Sequence, residues 1–132
     1  MANEAVCIET PTIFARRVIA AGAVLPFGTV CKLNDNNTAT ASAADNDVFG
    51  GIVWERASTA TSTHTEITVA MDGVWGVKDS GAGGSAGAIV NVGGANLIVD
   101  SAAADLLTGS VVGKREMDAS AGEVTRIRLV GY

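Results

Sequence analysis

Glycine stands before or inside nearly every apolar run of this chain, at Gly28, Gly50-Gly51, Gly73, Gly76, Gly87, Gly109 and Gly113. The runs between them are short and rich in β-branched residues, which suits strands and is too brief for buried helices. Glycine inside a strand marks a bulge, a tight corner or a close backbone approach. A barrel of short strands needs such corners, and a wide open sheet does not. The sequence therefore predicts a mainly β fold, a small antiparallel β-barrel or sandwich of short strands with little helix. The chain of 132 residues is 48% hydrophobic but only 5% aromatic, so the core is built from small side chains. That length fits one domain, read here as a β domain over 21–132 preceded by an N-terminal arm over 1–20.

The arm reads as extended, with a short helix over Pro11 to Ala21 as the competing reading. Its β-branched residues and lack of a sustained apolar stripe favour extension. Strands follow at Gly28 to Leu33, Gly50 to Trp54, Glu66 to Met71, Val74 to Val77, Ala88 to Val92, Ala95 to Val99, Leu107 to Lys114 and Glu123 to Val130. A brief edge strand is expected within Thr38 to Ala44, and a turn of helix within Ser101 to Leu107. Asp72-Gly73 is a strong turn dipeptide and predicts a hairpin between the strands that flank it. Gly93-Gly94 predicts a second hairpin. Alternation puts Thr125, Ile127 and Leu129 on the core face of the last strand and Arg126 and Arg128 on the other.

Little here can carry chemistry. The net charge of -5 argues against a nucleic-acid binder, which needs a basic face. No run approaches a membrane span, and the N-terminus lacks the pattern of a signal peptide. Cys31 falls on an apolar strand face and reads as a small hydrophobe, with no disulfide to Cys7 expected. His64, the single histidine, lies in a polar stretch and reads as a surface residue. The loop Gly81 to Gly87 lacks the Lys-Ser/Thr ending of a phosphate cradle. Asp72, Asp79, Asp100 and Asp105 lie beside turns and read as solvated. The sequence assigns no catalytic residue, cofactor or metal ligand, and the chain is read as a non-enzyme. Trp54 and Trp75 suit either the core or a subunit contact. Arg126 and Arg128 suit either a solvated strand face or bidentate pairing across a subunit contact.

The order of GAVLPFGTVCKL, GGIVWERA, ITVAMDGVWGVKDSG, AGAIVNVGG and the closing TRIRLVG resembles the small capsid decoration, or cement, proteins of tailed bacteriophages. The pieces that carry the resemblance are Gly28-Thr29-Val30, Gly51-Ile52-Val53, Val69 to Trp75, Ala86 to Val92 and Thr125 to Leu129. The Thr-rich stretch Ala57 to Thr65 takes no part in it. The resemblance implies a compact β domain on the outer surface of an icosahedral head, synthesised in the host cytoplasm and incorporated into the virion. It implies a homotrimer at capsomer junctions, with the major capsid protein as partner and no direct contact with nucleic acid or membrane. The work would be mechanical, stabilising the head against the pressure of packaged DNA. On this reading Ile8, Ile13, Phe14, Arg16 and Arg17 anchor the arm to the capsid, and deleting residues 1–15 leaves the β domain folded. The alternative is a carbohydrate-binding or adhesion-type β module, including a minor head-fibre protein.

Overall fold

The computed structural model describes residues 3–56, 59–61, 64–106 and 109–129. They form two closed β-barrels. The first is built from β2 (Phe14–Ile19), β3 (Val30–Asn34), β4 (Thr38–Ala41), β5 (Phe49–Val53) and β6 (Glu66–Ala70), in the ring order β2-β4-β3-β5-β6. The second is built from β7 (Val74–Asp79), β8 (Ile89–Gly94), β9 (Leu97–Asp100), β10 (Val111–Arg115) and β11 (Val124–Leu129). Its strands run β7-β11-β10-β8-β9, and a parallel β7–β9 pairing closes the ring. The remaining strand, β1 (Val6–Glu9), adds to the edge of β7. Among the described residues, helix is confined to two single 3-10 turns, Asp35–Asn37 and Ala103–Asp105.

The two barrels are one design used twice. Each ring has one parallel pair, β2–β4 or β7–β9, and four antiparallel pairs in the same succession. The bonds outside the ladders repeat as well. The Thr29 amide donates to Pro26 O and the Ala88 amide to Ser85 O, in the turns that lead into β3 and β8. The Gly28 amide donates to Val53 O as the Gly87 amide does to Arg115 O, and Ser42 N–Val30 O is matched by Ser101 N–Ile89 O. Register then pairs Ala15 with Trp75, Ile19 with Asp79, Ile52 with Lys114, Val53 with Arg115, and Ala70 with Arg128. Even the bulge recurs, next to Gly51 in β5 and next to Gly113 in β10. At Gly113 the reason is contact: any Cβ would run into the carbonyl oxygen of Arg128.

The interior of the first barrel holds Ile19, Leu25, Cys31, Ala39, Val53, Ile67, Val69 and Met71. The second barrel does not close its apolar interior alone. Trp75, Val77, Val90, Val92, Ile98, Val112, Ile127 and Leu129 form one cluster with Val30, Phe49, Ile52 and Ala70 from the first barrel's strands. The flank of one barrel is thus the floor of the other. Polar contacts fix this seam: Asn96 Oδ1 accepts from Val30 N at 2.8 Å, and the Asn96 amide donates to Ser42 Oγ at 3.0 Å.

Three expectations are corrected. Residues 3–20 are not an arm lying apart from a domain, because β1 edges the second barrel and β2 is a stave of the first. Within Pro11 to Ala21 the extended reading holds over the competing helix, since Phe14–Ile19 is a strand paired with β6. Asp72-Gly73 makes no hairpin: β6 pairs with β2 and β5, and β7 with β1, β9 and β11, so the dipeptide links the two barrels. The strand within Thr38 to Ala44 is not an edge, being held by β3 on one side and β2 on the other. Leu107, at the start of the strand expected to end at Lys114, lies outside the described residues, as do Ala57, Ser58, Ser62 and Thr63 of the Thr-rich stretch.

Two outcomes follow from this fold. Deleting residues 1–15 removes β1 and the start of β2, so circular dichroism should show loss of the cooperative thermal transition instead of an intact β domain. Cys31 is buried, and burial, partly countered by Arg17, pushes its thiol up to about 12. Both cysteines are free, and Cys7 is only half-buried. A thiol reagent should therefore label Cys7 in the folded protein, and Cys31 only after denaturation.

Candidate interaction surface

The first two strands and the link between them concentrate exposed apolar side chains. Val6 is 64% exposed, Ile8 46%, Ile13 50% and Phe14 44%. Phe14 sits at the end of a row on the first barrel's flank. Register aligns it with Ala70, and Ala70 with Ile52 and then Val30. The second barrel covers Val30, Ile52 and Ala70, whereas Phe14 emerges at the margin. There it joins an aromatic shelf with Trp54 at 6.0 Å, Phe27 5.1 Å beyond, and Trp75 beneath at 5.8 Å from Trp54. Trp75 is fully buried and Trp54 half-buried, so the structure places Trp75 in the core and Trp54 at its rim. A shallow depression beside the shelf is lined by Phe27 and Arg56.

The two arginines of β2 part company. Arg16 faces outward and pairs with Glu55 at 2.5 Å, with a bond to Thr68 Oγ1 at 2.8 Å. Arg17 turns inward. Its Nε donates to Gly50 O at 3.1 Å, its Nη1 donates to Asn37 Oδ1 at 2.7 Å, and Nη2 lies against Met71 Sδ. That arrangement ties β2 to β5 and to the turn before β4. Arg17 is therefore engaged in the fold, while Ile8, Ile13, Phe14 and Arg16 remain on the surface.

Arg126 and Arg128 lie on the outer face of β11, as alternation predicts, and both are bonded within the chain. Glu9 of β1 and Glu116, just beyond β10, each bridge the two guanidinium groups, at 2.9 and 3.2 Å for Glu9 and 3.2 and 2.8 Å for Glu116. Hydrogen bonds from Arg128 and Arg126 hold the Glu116 carboxyl below its ordinary range. Glu9 carries this network across β7 and clips β1 in place. A depression on the same flank is lined by Lys114, Glu116, Arg128 and Leu129.

The far end of the second barrel holds a buried ionic cluster that the sequence did not disclose. Arg115 is fully buried between Asp79, its Nη2 partner, and Asp100, whose Oδ1 is 2.7 Å from Nε. Asp79 is buried, not solvated as its place beside a turn suggested. It also accepts from the amides of Gly81 and Gly83 at 2.9 Å. Burial works to raise the Asp79 carboxyl, but the bonds from Arg115, Gly81 and Gly83 outweigh it and hold the group below its ordinary range. Gly84 makes the room: a Cβ there would fall 2.5 Å from Arg115 Nε. The first barrel fills the corresponding positions with Ile19, Leu25 and Val53, all buried. One barrel end is stoppered by apolar side chains and its counterpart by charge. Asp72 is likewise engaged, since its carboxylate accepts from the Thr12 and Ile13 amides at 2.7 and 2.8 Å and ties the inter-barrel link to the start of β2.

Among the described residues no group of His, Cys, Asp and Glu is placed to hold a metal ion. His64 is half-buried instead of lying free on the surface, and its amide donates to Thr61 Oγ1 at 3.0 Å. The chain matches no protein-family model, and no curated protein matches it.

The ionic cluster supports a sharp expectation. Removing one member of a buried pair leaves an uncompensated charge, so Arg115→Ala should cost about 3–5 kcal/mol in denaturant unfolding. Grafting the first barrel's residues as Asp79→Ile, Gly84→Leu and Arg115→Val should recover most of that loss, because Asp100 is 44% exposed and remains hydrated. The Asp79 contribution is complete above the unfolded-chain value of about 3.9 and is lost as pH falls through the lower folded value. Acid melts of the grafted variant should accordingly lack that part of the wild-type decline.

Proposed function

We propose that this chain is a capsid decoration protein that binds the outer surface of a viral head at capsomer junctions and stabilises it against internal DNA pressure. The observation that carries the reading is the exposure of the apolar Ile8, Ile13 and Phe14 on the first two strands and their link, with Phe14 packed into an aromatic shelf. Exposed apolar side chains gathered along one region are what a docking surface needs. The ordered succession of strand motifs resembling the cement proteins supplies the class of partner, the major capsid protein. Closed barrels suit a mechanical role, since their strands are bonded on both sides and have few edges to peel.

On this reading the chain works as a homotrimer on the head. Weak contacts repeated over the shell act together through multivalency, so modest affinity per copy suffices. The carbohydrate-binding alternative draws on the same aromatic shelf. Its rings are tilted at 48° and 49° to one another, a geometry that seats a side chain better than it stacks flat sugar faces.

Co-sedimentation with expanded, undecorated heads of the virus that encodes the chain tests the proposal. Saturable pelleting with expanded heads, and not with unexpanded procapsids, is the expected result. A folded protein that stays in the supernatant would transfer the shelf to the sugar-binding reading.

A further inference from the structure

The duplication provides an internal control for every edge of the molecule, and one edge fails to match. In the second barrel, β9 covers Lys78 and Asp79 of β7, and β1 covers the same edge at Val74–Gly76. In the first barrel, β4 covers Val18 and Ile19 of β2. The corresponding stretch, Phe14–Arg16, has no strand beside it among the described residues. Odd-numbered residues of β2 bond toward β6, as the amide of Ile19 and the carbonyl of Ile13 show. The amides of Phe14 and Arg16 therefore point to the open side, where Asn37 Nδ2 meets the Arg16 carbonyl at 2.9 Å. An open edge of this kind is a template for another strand.

The control also indicates what fits there. On the second barrel the flank row runs Lys114, Arg128, Val74, and the covering residue that closes it is Glu9, paired with Arg128. On the first barrel the matching row is Ile52, Ala70, Phe14, entirely apolar. A strand laid there would continue the row with an apolar side chain against Phe14 and the Trp54 shelf. We infer that the open edge of β2 at Phe14–Arg16 is a strand-docking site for an extended segment of a second polypeptide. The segment runs antiparallel to β2 and presents a bulky apolar residue beside Phe14. With the reading above, on which this identification of the occupant rests, that segment belongs to the head protein.

The test separates the backbone from the side chain. Arg16→Ala keeps the edge-facing amide and Arg16→Pro removes it, while the β6 ladder uses the neighbouring residues and is spared. Thermal melts establish that both variants fold, and head co-sedimentation compares them with wild type. Arg16→Ala registers whatever the guanidinium contributes, and Arg16→Pro should bind about tenfold or more weakly than Arg16→Ala, as expected when a docked strand loses hydrogen bonding and fit. Equal binding by the two variants would overturn the inference while leaving capsid binding intact. Absence of binding by wild type would overturn the functional reading and the inference with it. Should Arg16→Pro not fold, hydrogen exchange of wild type on heads decides. Slowed exchange at the Phe14 and Arg16 amides supports docking, and unchanged exchange overturns it.

Discussion

The second barrel depends on a floor that it does not supply. Its interior is filled mainly by valine and isoleucine around one tryptophan, and Trp75 extends toward the seam where Trp54 and Phe27 lie. Val30, Phe49, Ile52 and Ala70 of the first barrel complete that cluster. A chain so poor in aromatics has few large side chains with which to fill two separate closed cores. Sharing a wall lets a single set of small residues bury apolar area on both sides of the first barrel's strands. β5 shows the result, being buried along its whole length, as a strand with a core on each face must be.

The sharing also explains why equivalent positions diverge. Where the first barrel's flank is covered it carries Ile52 and Ala70, and where the second barrel's flank meets solvent it carries Lys114 and Arg128. Terminal units of repeat architectures differ from inner ones in the same way, presenting a polar outer face where no neighbour stacks. One inward position of β2 and β7 follows the reverse pattern. Arg17 in the first barrel is bonded to Gly50 O and Asn37 Oδ1, whereas the second barrel's corresponding position is the apolar Val77, facing the shared core. A single scaffold has thus been given opposite charge patterns according to what lies against it.

Much of the fold was legible because it rests on local signals. Short runs bounded by glycine gave the strands, and alternation in 124–129 correctly turned Thr125, Ile127 and Leu129 inward. The duplication was present in the sequence too, in Gly28-Thr29-Val30 against Gly87-Ala88-Ile89 and Ser42-Ala43-Ala44 against Ser101-Ala102-Ala103. It is faint because register conserves which side of a stave faces inward and not the residue that stands there: Val53 answers to Arg115, and Ile19 to Asp79. The ionic cluster was illegible for the same reason. An aspartate beside a glycine-rich turn looks solvated until the fold brings Arg115 across the barrel to it. Asp72-Gly73 misled because a turn dipeptide specifies a change of direction and leaves open whether the strands on either side will pair.

The exposed apolar residues gain their meaning from this comparison within the chain. Ile8 and Phe14 were candidates because they are apolar and near the N-terminus, a weak criterion in a chain that is 48% hydrophobic. In the fold they differ in kind. Ile8 belongs to a strand already seated on β7 and secured at its end by Glu9, so its exposure is the outer surface of a filled position. Phe14 belongs to a strand whose matching position holds no strand among the described residues, at the end of an apolar row that the second barrel covers only in part. Equal hydrophobicity at two surface sites thus reflects two physical situations. In one the edge bonds have been made, and in the other an edge and the apolar row beside it both stop short of a neighbour that the rest of the molecule shows how to accommodate.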